Sequence, residues 1–116
     1  MAIPSGSGTE VLKSAVFASV STSAVKILDG VANHIYTILS ITVCETVGAA
    51  EEFNLSMSTD GGSNAFFILV SQPLGINKTF VFNDRLVISG THELIMNTNS
   101  SANLDVTIHY IDQDWS

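Results

Sequence analysis

The closing segment of this chain alternates with period two. Leu104, Val106, Ile108 and Tyr110 fall on one side of an extended backbone, and Asp105, Thr107 and His109 fall on the other. Successive side chains of a strand point to opposite faces, so this spacing predicts a half-buried antiparallel strand over 104–111, with Ile111 breaking the pattern at its end. The apolar positions are rich in β-branched and aromatic residues, which suit a pleated surface. Clusters of Ser, Gly, Thr and Asn at 89–91 and 97–103 separate it from strand-like runs at 86–90 and 94–96.

The same rhythm extends toward the N-terminus. Residues 1–9 read as an extended arm in which Pro4, Gly6 and Gly8 supply no core face, either a disordered terminus or an arm that orders only against a neighbour with Ile3 as its apolar anchor. Residues 10–116 form the folded domain. Over 10–20 a short helix and a strand both fit, and the run of Val, Phe and Ser favours a strand from about Lys13. A short strand at 25–28 ends at the Asp29-Gly30 turn. The longest candidate spans 34–47, with Ile35, Leu39, Ile41 and Val43 on one face and Tyr36, Ile38, Ser40, Thr42 and Cys44 on the other. Apolar groups on both faces predict a central strand covered on both sides for part of its length.

Residues 48–52 read as a connection. Phe53, Leu55 and Met57 alternate with Asn54, Ser56 and Ser58, and Asp60-Gly61-Gly62-Ser63 predicts a hairpin turn to a partner strand over 65–70. Gln72-Pro73-Leu74-Gly75 reads as a further turn, followed by a strand from Thr79 to Phe82. Eight or nine short strands without a convincing helix predict a single-domain antiparallel β-sandwich, jelly-roll-like in type.

Composition narrows the function. Of 116 residues 46% are hydrophobic and 13% are charged, against roughly 25% charged in an average domain. Such a chain is expected to hide much of its outer surface against a partner. Its formal charge of −7, with only four scattered cations (Lys13, Lys26, Lys78 and Arg85), argues against nucleic acid as a partner. The single cysteine, Cys44, allows no internal disulfide and reads as a small buried hydrophobe. No apolar run has the length of a membrane span, and the opening residues lack the basic start and apolar core of a secretory signal, so assembly in a cytoplasm is expected and no membrane partner.

Chemistry finds little purchase. His34, His92 and His109 lie in separate segments without a second ligand at metal spacing, and His92-Glu93 lacks the partner histidine of a zinc-protease helix. No Gly-x-Ser-x-Gly elbow or phosphate-binding glycine loop is present. Glu51 and Glu52, adjacent on a strand, would point to opposite faces, and Asp112 and Asp114 read as a solvated acidic tail. No catalytic residue, cofactor or metal is therefore expected, and an enzyme is not. Trp115, just past the last strand, is expected either to pack loosely or to anchor on a partner, and the second reading is preferred.

Three stretches, IPSGSGTEVLK at 3–13, GVANHIYTILSITV at 30–43 and SANLDVTIHY at 101–110, resemble small virion accessory proteins of tailed bacteriophages, of the head decoration (cement) type. The resemblance implies a non-catalytic jelly-roll subunit, often a homotrimer. Its partners would be other copies of itself and the major capsid protein, and its place the outer surface of the capsid. It leaves a tail, neck or fibre location open, and a carbohydrate-binding β-sandwich is the rival from another class. Ile3, Val11, Leu12 and Trp115 are the expected partner contacts.

Overall fold

A computed structural model describes residues 9–59 and 64–115. These form nine strands and no helix: β1 (Thr9–Val20), β2 (Val25–Asp29), β3 (His34–Glu45), β4 (Glu51–Ser58), β5 (Ala65–Leu74), β6 (Thr79–Phe82), β7 (Leu86–Ser89), β8 (Glu93–Thr98) and β9 (Leu104–Asp114). One sheet runs β1-β9-β3-β6, with β7 also pairing β3, and the other runs β2-β8-β4-β5. All the pairings are antiparallel. With β6 and β7 as two halves of one interrupted strand, this is the strand order of a jelly roll, as the sequence predicts.

The alternation of β9 carries the core. Leu104, Val106, Ile108 and Tyr110 are buried, and the next inward position is taken by Asp112, so Ile111 keeps the period on the outer face. Facing them from the second sheet are Phe53, Leu55, Leu94 and Met96, each 0–1% exposed. Phe53 meets Phe80 edge-on at 5.6 Å, the geometry favoured by the ring quadrupoles.

Four sequence expectations change. β1 begins at Thr9 rather than near Lys13, because its first residues pair with the end of β9 (Thr9 opposite Asp114). β4 begins at Glu51, inside the expected connection. β5 runs through Gln72, Pro73 and Leu74 instead of turning there. Proline is tolerated because β5 is an edge strand, where a missing N–H on the open side costs nothing. The fourth change is in β3, whose register against β9 shifts between Ile38 and Ser40. The extra residue, Leu39, is exposed, and the phase flips around it: Tyr36 and Ile38 point inward before the bulge, Ile41 and Val43 after it. The expected face of Ile35, Leu39, Ile41 and Val43 is therefore split between the two sides. Of the arm expected over 1–9, Thr9 belongs to β1 and residues 1–8 lie outside the described residues, as does the expected turn at 60–63; the strands flanking that turn, β4 and β5, are antiparallel partners.

Gly30 locks the β2–β3 connection to the β7–β8 connection. Its N–H donates to His92 O at 2.9 Å, and a Cβ at this position would meet the carbonyl oxygens of Gly90 and His92, the latter at 2.5 Å. Neither oxygen can move without shifting backbone. Gly30→Ala is expected to destabilise the domain by about 1–3 kcal/mol, measured as a lower urea midpoint with an unchanged slope.

Candidate interaction surface

The registers lay out the outer face of the five-stranded sheet row by row. Glu10, Gln113, Ile35 and Ser89 form the first row, and Leu12, Ile111, Thr37 and Val87 the second. Ser14, His109 and Ser40 form the third; Val16, Thr107, Thr42 and Val81 the fourth; Asp105, Cys44 and Thr79 the last. The bulged Leu39 adds an apolar side chain between the second and third rows. In all these positions Glu10 and Asp105 are the only acids, at opposite ends, and there is no Lys or Arg. Leu12 and Val16 are 75% and 78% exposed, Val81 and Val87 about half. A patch of apolar side chains interleaved with Thr and Ser, free of charge at its centre, is what the middle of an interface presents. From strand spacing and rise the face measures about 400 Å², half of the roughly 800 Å² a side of a standard interface.

The sequence-expected contacts fall around this sheet. Leu12 belongs to the outer face. Val11 is on the inner side of β1, opposite Asp112, yet 49% exposed because it lies near the open end of the strand. Trp115 is half-buried, and its N–H donates to Asn33 O at 2.9 Å, which ties it to the β2–β3 connection; its indole Nε1 is buried with no hydrogen-bond partner among the described residues. Ile3 lies outside the described residues. Ile111, Val81 and Val87 complete the patch and were missed. Their outward position was legible only once each strand's register was known.

Beneath one end of the face lies a buried ionic cluster. Asp112 accepts hydrogen bonds from Lys13 Nζ and His34 Nδ1, both at 2.8 Å, so it joins β1, β9 and β3. His34 Nε2 lies 3.4 Å from Asp114 Oδ1, and the Tyr36 and Tyr110 rings meet beside it at a 49° tilt, 4.9 Å between centroids. Burial pushes the Asp112 carboxyl up, but the hydrogen bonds and charges of Lys13 and His34 outweigh it and hold the group below its usual range. Asp112 is thus a structural buried acid, not part of a solvated tail.

At the other end of β3, the buried Glu45 side chain accepts backbone N–H groups from Val47 (2.7 Å), Gly48 (3.0 Å), Ala49 (3.4 Å) and Asn77 (2.9 Å). Gly48 takes φ = 91°, which lets successive N–H groups converge on one carboxylate. The Asn77 hydrogen bond, seconded by the other three against the opposing effect of burial, holds the Glu45 carboxyl below its ordinary value.

A groove of about 410 Å³ runs beside Glu51, Glu52, Pro73 and Asn99. Its carboxylates already accept hydrogen bonds, Glu51 from Ser100 Oγ at 2.7 Å and Glu52 from Asn99 Nδ2 at 3.1 Å, and no aromatic ring lines it. Among the described residues no group of three or more His, Cys, Asp or Glu side chains is placed to hold a metal ion.

No protein-family profile and no curated protein matches the chain. Among the solved structures that share its fold are two that cover nearly the whole chain. A chain from the disulfide-linked pili that form Bacillus endospore appendages superposes with a TM-score of 0.62 at 13% identity, covering 100% of this chain and 97% of its own. A chain from the acid-stable capsid of Helicobacter pylori bacteriophage KHP30 superposes with a TM-score of 0.55 at 9% identity, covering 94% and 90%.

Proposed function

We propose that this protein is a non-catalytic structural subunit of a virion, a decoration subunit that docks the outer face of its five-stranded sheet on the head shell. The observation that carries this reading is the centre of that face, where no Asp, Glu, Lys or Arg stands; the only acids of the face, Glu10 and Asp105, lie at its two ends. The two structures compared above come from large protein assemblies, one a phage capsid and one a pilus. Acids at the two ends of the face fit a partner surface that is apolar at its centre and basic at its rim. The site asks for no metal or cofactor, only for desolvation of Leu, Ile, Val and Thr side chains.

The experiment is co-sedimentation with purified expanded heads. Val81 and Val87 are exposed, so Val81→Lys with Val87→Lys should fold normally and lose shell binding by about tenfold or more. Full binding by the double variant would remove this face as the interface, and no binding by the parent chain would remove the reading itself. Labelled protein found on the tail or neck of particles would instead establish the tail-component alternative.

A further inference from the structure

Among the described residues, each sheet has two open edges: β1 and the β6/β7 side in one, β2 and β5 in the other. Stable sheets blunt such edges with short strands, bulges, proline or an unpaired lysine. Three of these edges are protected. β6 and β7 have four residues each. β2 has five residues and a register shift, and β5 has Pro73 and two register shifts against β4. β1 is different: it has 12 residues and no proline, and its one register shift, between Phe17 and Val20, lies at its end and leaves Thr9 to Phe17 regular. Its lysine, Lys13, does not guard the edge, because Asp112 holds it on the inner side.

We propose that the open edge of β1 pairs antiparallel with β1 of a second copy, about a two-fold axis through Ser14, joining two five-stranded sheets into one. A two-fold axis perpendicular to the sheet keeps both outer faces on the same side, so the register must centre on a residue. Centring on Lys13 sets two ammonium groups opposite each other, which is unfavourable. Centring on Leu12 leaves Val16 beyond the paired segment. Centring on Ser14 places Leu12 opposite Val16 of the second copy and Val11 opposite Phe17, so the two most exposed apolar residues of the strand cover each other twice. Lys13 then faces Ala15, and Glu10 faces Ala18. No acid of one copy meets an acid of the other, which matters for a chain of charge −7. The pairing also makes the two outer faces continuous, raising the docking area from about 400 to about 800 Å², the size of a standard interface side. It uses the strand edge alone and stands whether or not that face docks on a shell.

The test is the mass of the free full-length protein by sedimentation. Two chains are expected, against the three implied by the sequence resemblance. Ser14→Lys, at an exposed position, should weaken the pair about tenfold by placing like charges across the axis while leaving the far-ultraviolet spectrum unchanged. Mixing it with Ser14→Glu should restore the two-chain mass as a one-to-one species. In a Cys44→Ser background, Ser14→Cys should give a disulfide-linked pair under mild oxidation, since opposed strand residues lie within bridging distance. A single-chain or three-chain mass for the parent protein, or a pair indifferent to both charge variants, overturns the proposal. Val81 and Val87 are untouched in these variants, so shell binding is scored separately.

Discussion

Phe53→Ala is expected to destabilise the domain by about 3–5 kcal/mol, lowering the thermal midpoint by more than about 10 °C. Phe53 is 0% exposed, lies on β4 between the sheets and makes an edge-on contact with Phe80 of the opposite sheet. Truncation removes both the transfer free energy of the ring and its contacts, and the surrounding Leu55 and Met96 sit on paired strands that cannot collapse into the void. Phe53→Leu should recover roughly half of the loss, because it restores most of the volume. Thermal unfolding followed by circular dichroism decides it. A loss below about 1 kcal/mol would mean the two sheets are not packed here as described.

The second large effect is expected at Glu45. Glu45→Ala removes the one carboxylate that four backbone N–H groups share in two connections at once, 47–49 and the turn at Asn77. Four hydrogen bonds to a charged acceptor are lost and both connections come loose from β3, although water can reach their exposed N–H groups, and a drop in thermal midpoint on the order of 10 °C is expected. Glu45→Gln keeps an acceptor oxygen and should lose less. The same group sets the acid limit of the protein. Its folded-state pKa is depressed, as is that of Asp112, so the stability each contributes is complete above the unfolded carboxylate pKa of about 4 and is lost as pH falls from there through the folded values. Stability should therefore begin to fall near about pH 4 in the parent and fall less steeply in Glu45→Gln, which is weaker at neutral pH and converges with the parent in acid, its remaining acid dependence coming chiefly from Asp112. An equally steep loss of stability with falling pH in that variant would show that Glu45 is not the group responsible.

Much of this architecture is present in the order of residues. Alternation is a local property: the pleat of an extended chain sends neighbouring side chains to opposite faces, so the inward set of β9 is visible without knowing what covers it. The shortage of charge is equally visible in the composition, but not which face it leaves bare. Register is not local. Whether Leu39 continues the phase of Ile35 or resets it depends on how β3 pairs with β9, some seventy residues away. The roles of Asp112 and Glu45 depend on the same long-range pairing, for both look like ordinary acids until Lys13, His34 and the N–H groups of distant connections converge on them. Period-two patterning comes from covalent geometry, but bulges, edges and buried carboxylates exist only once separate strands have been brought side by side.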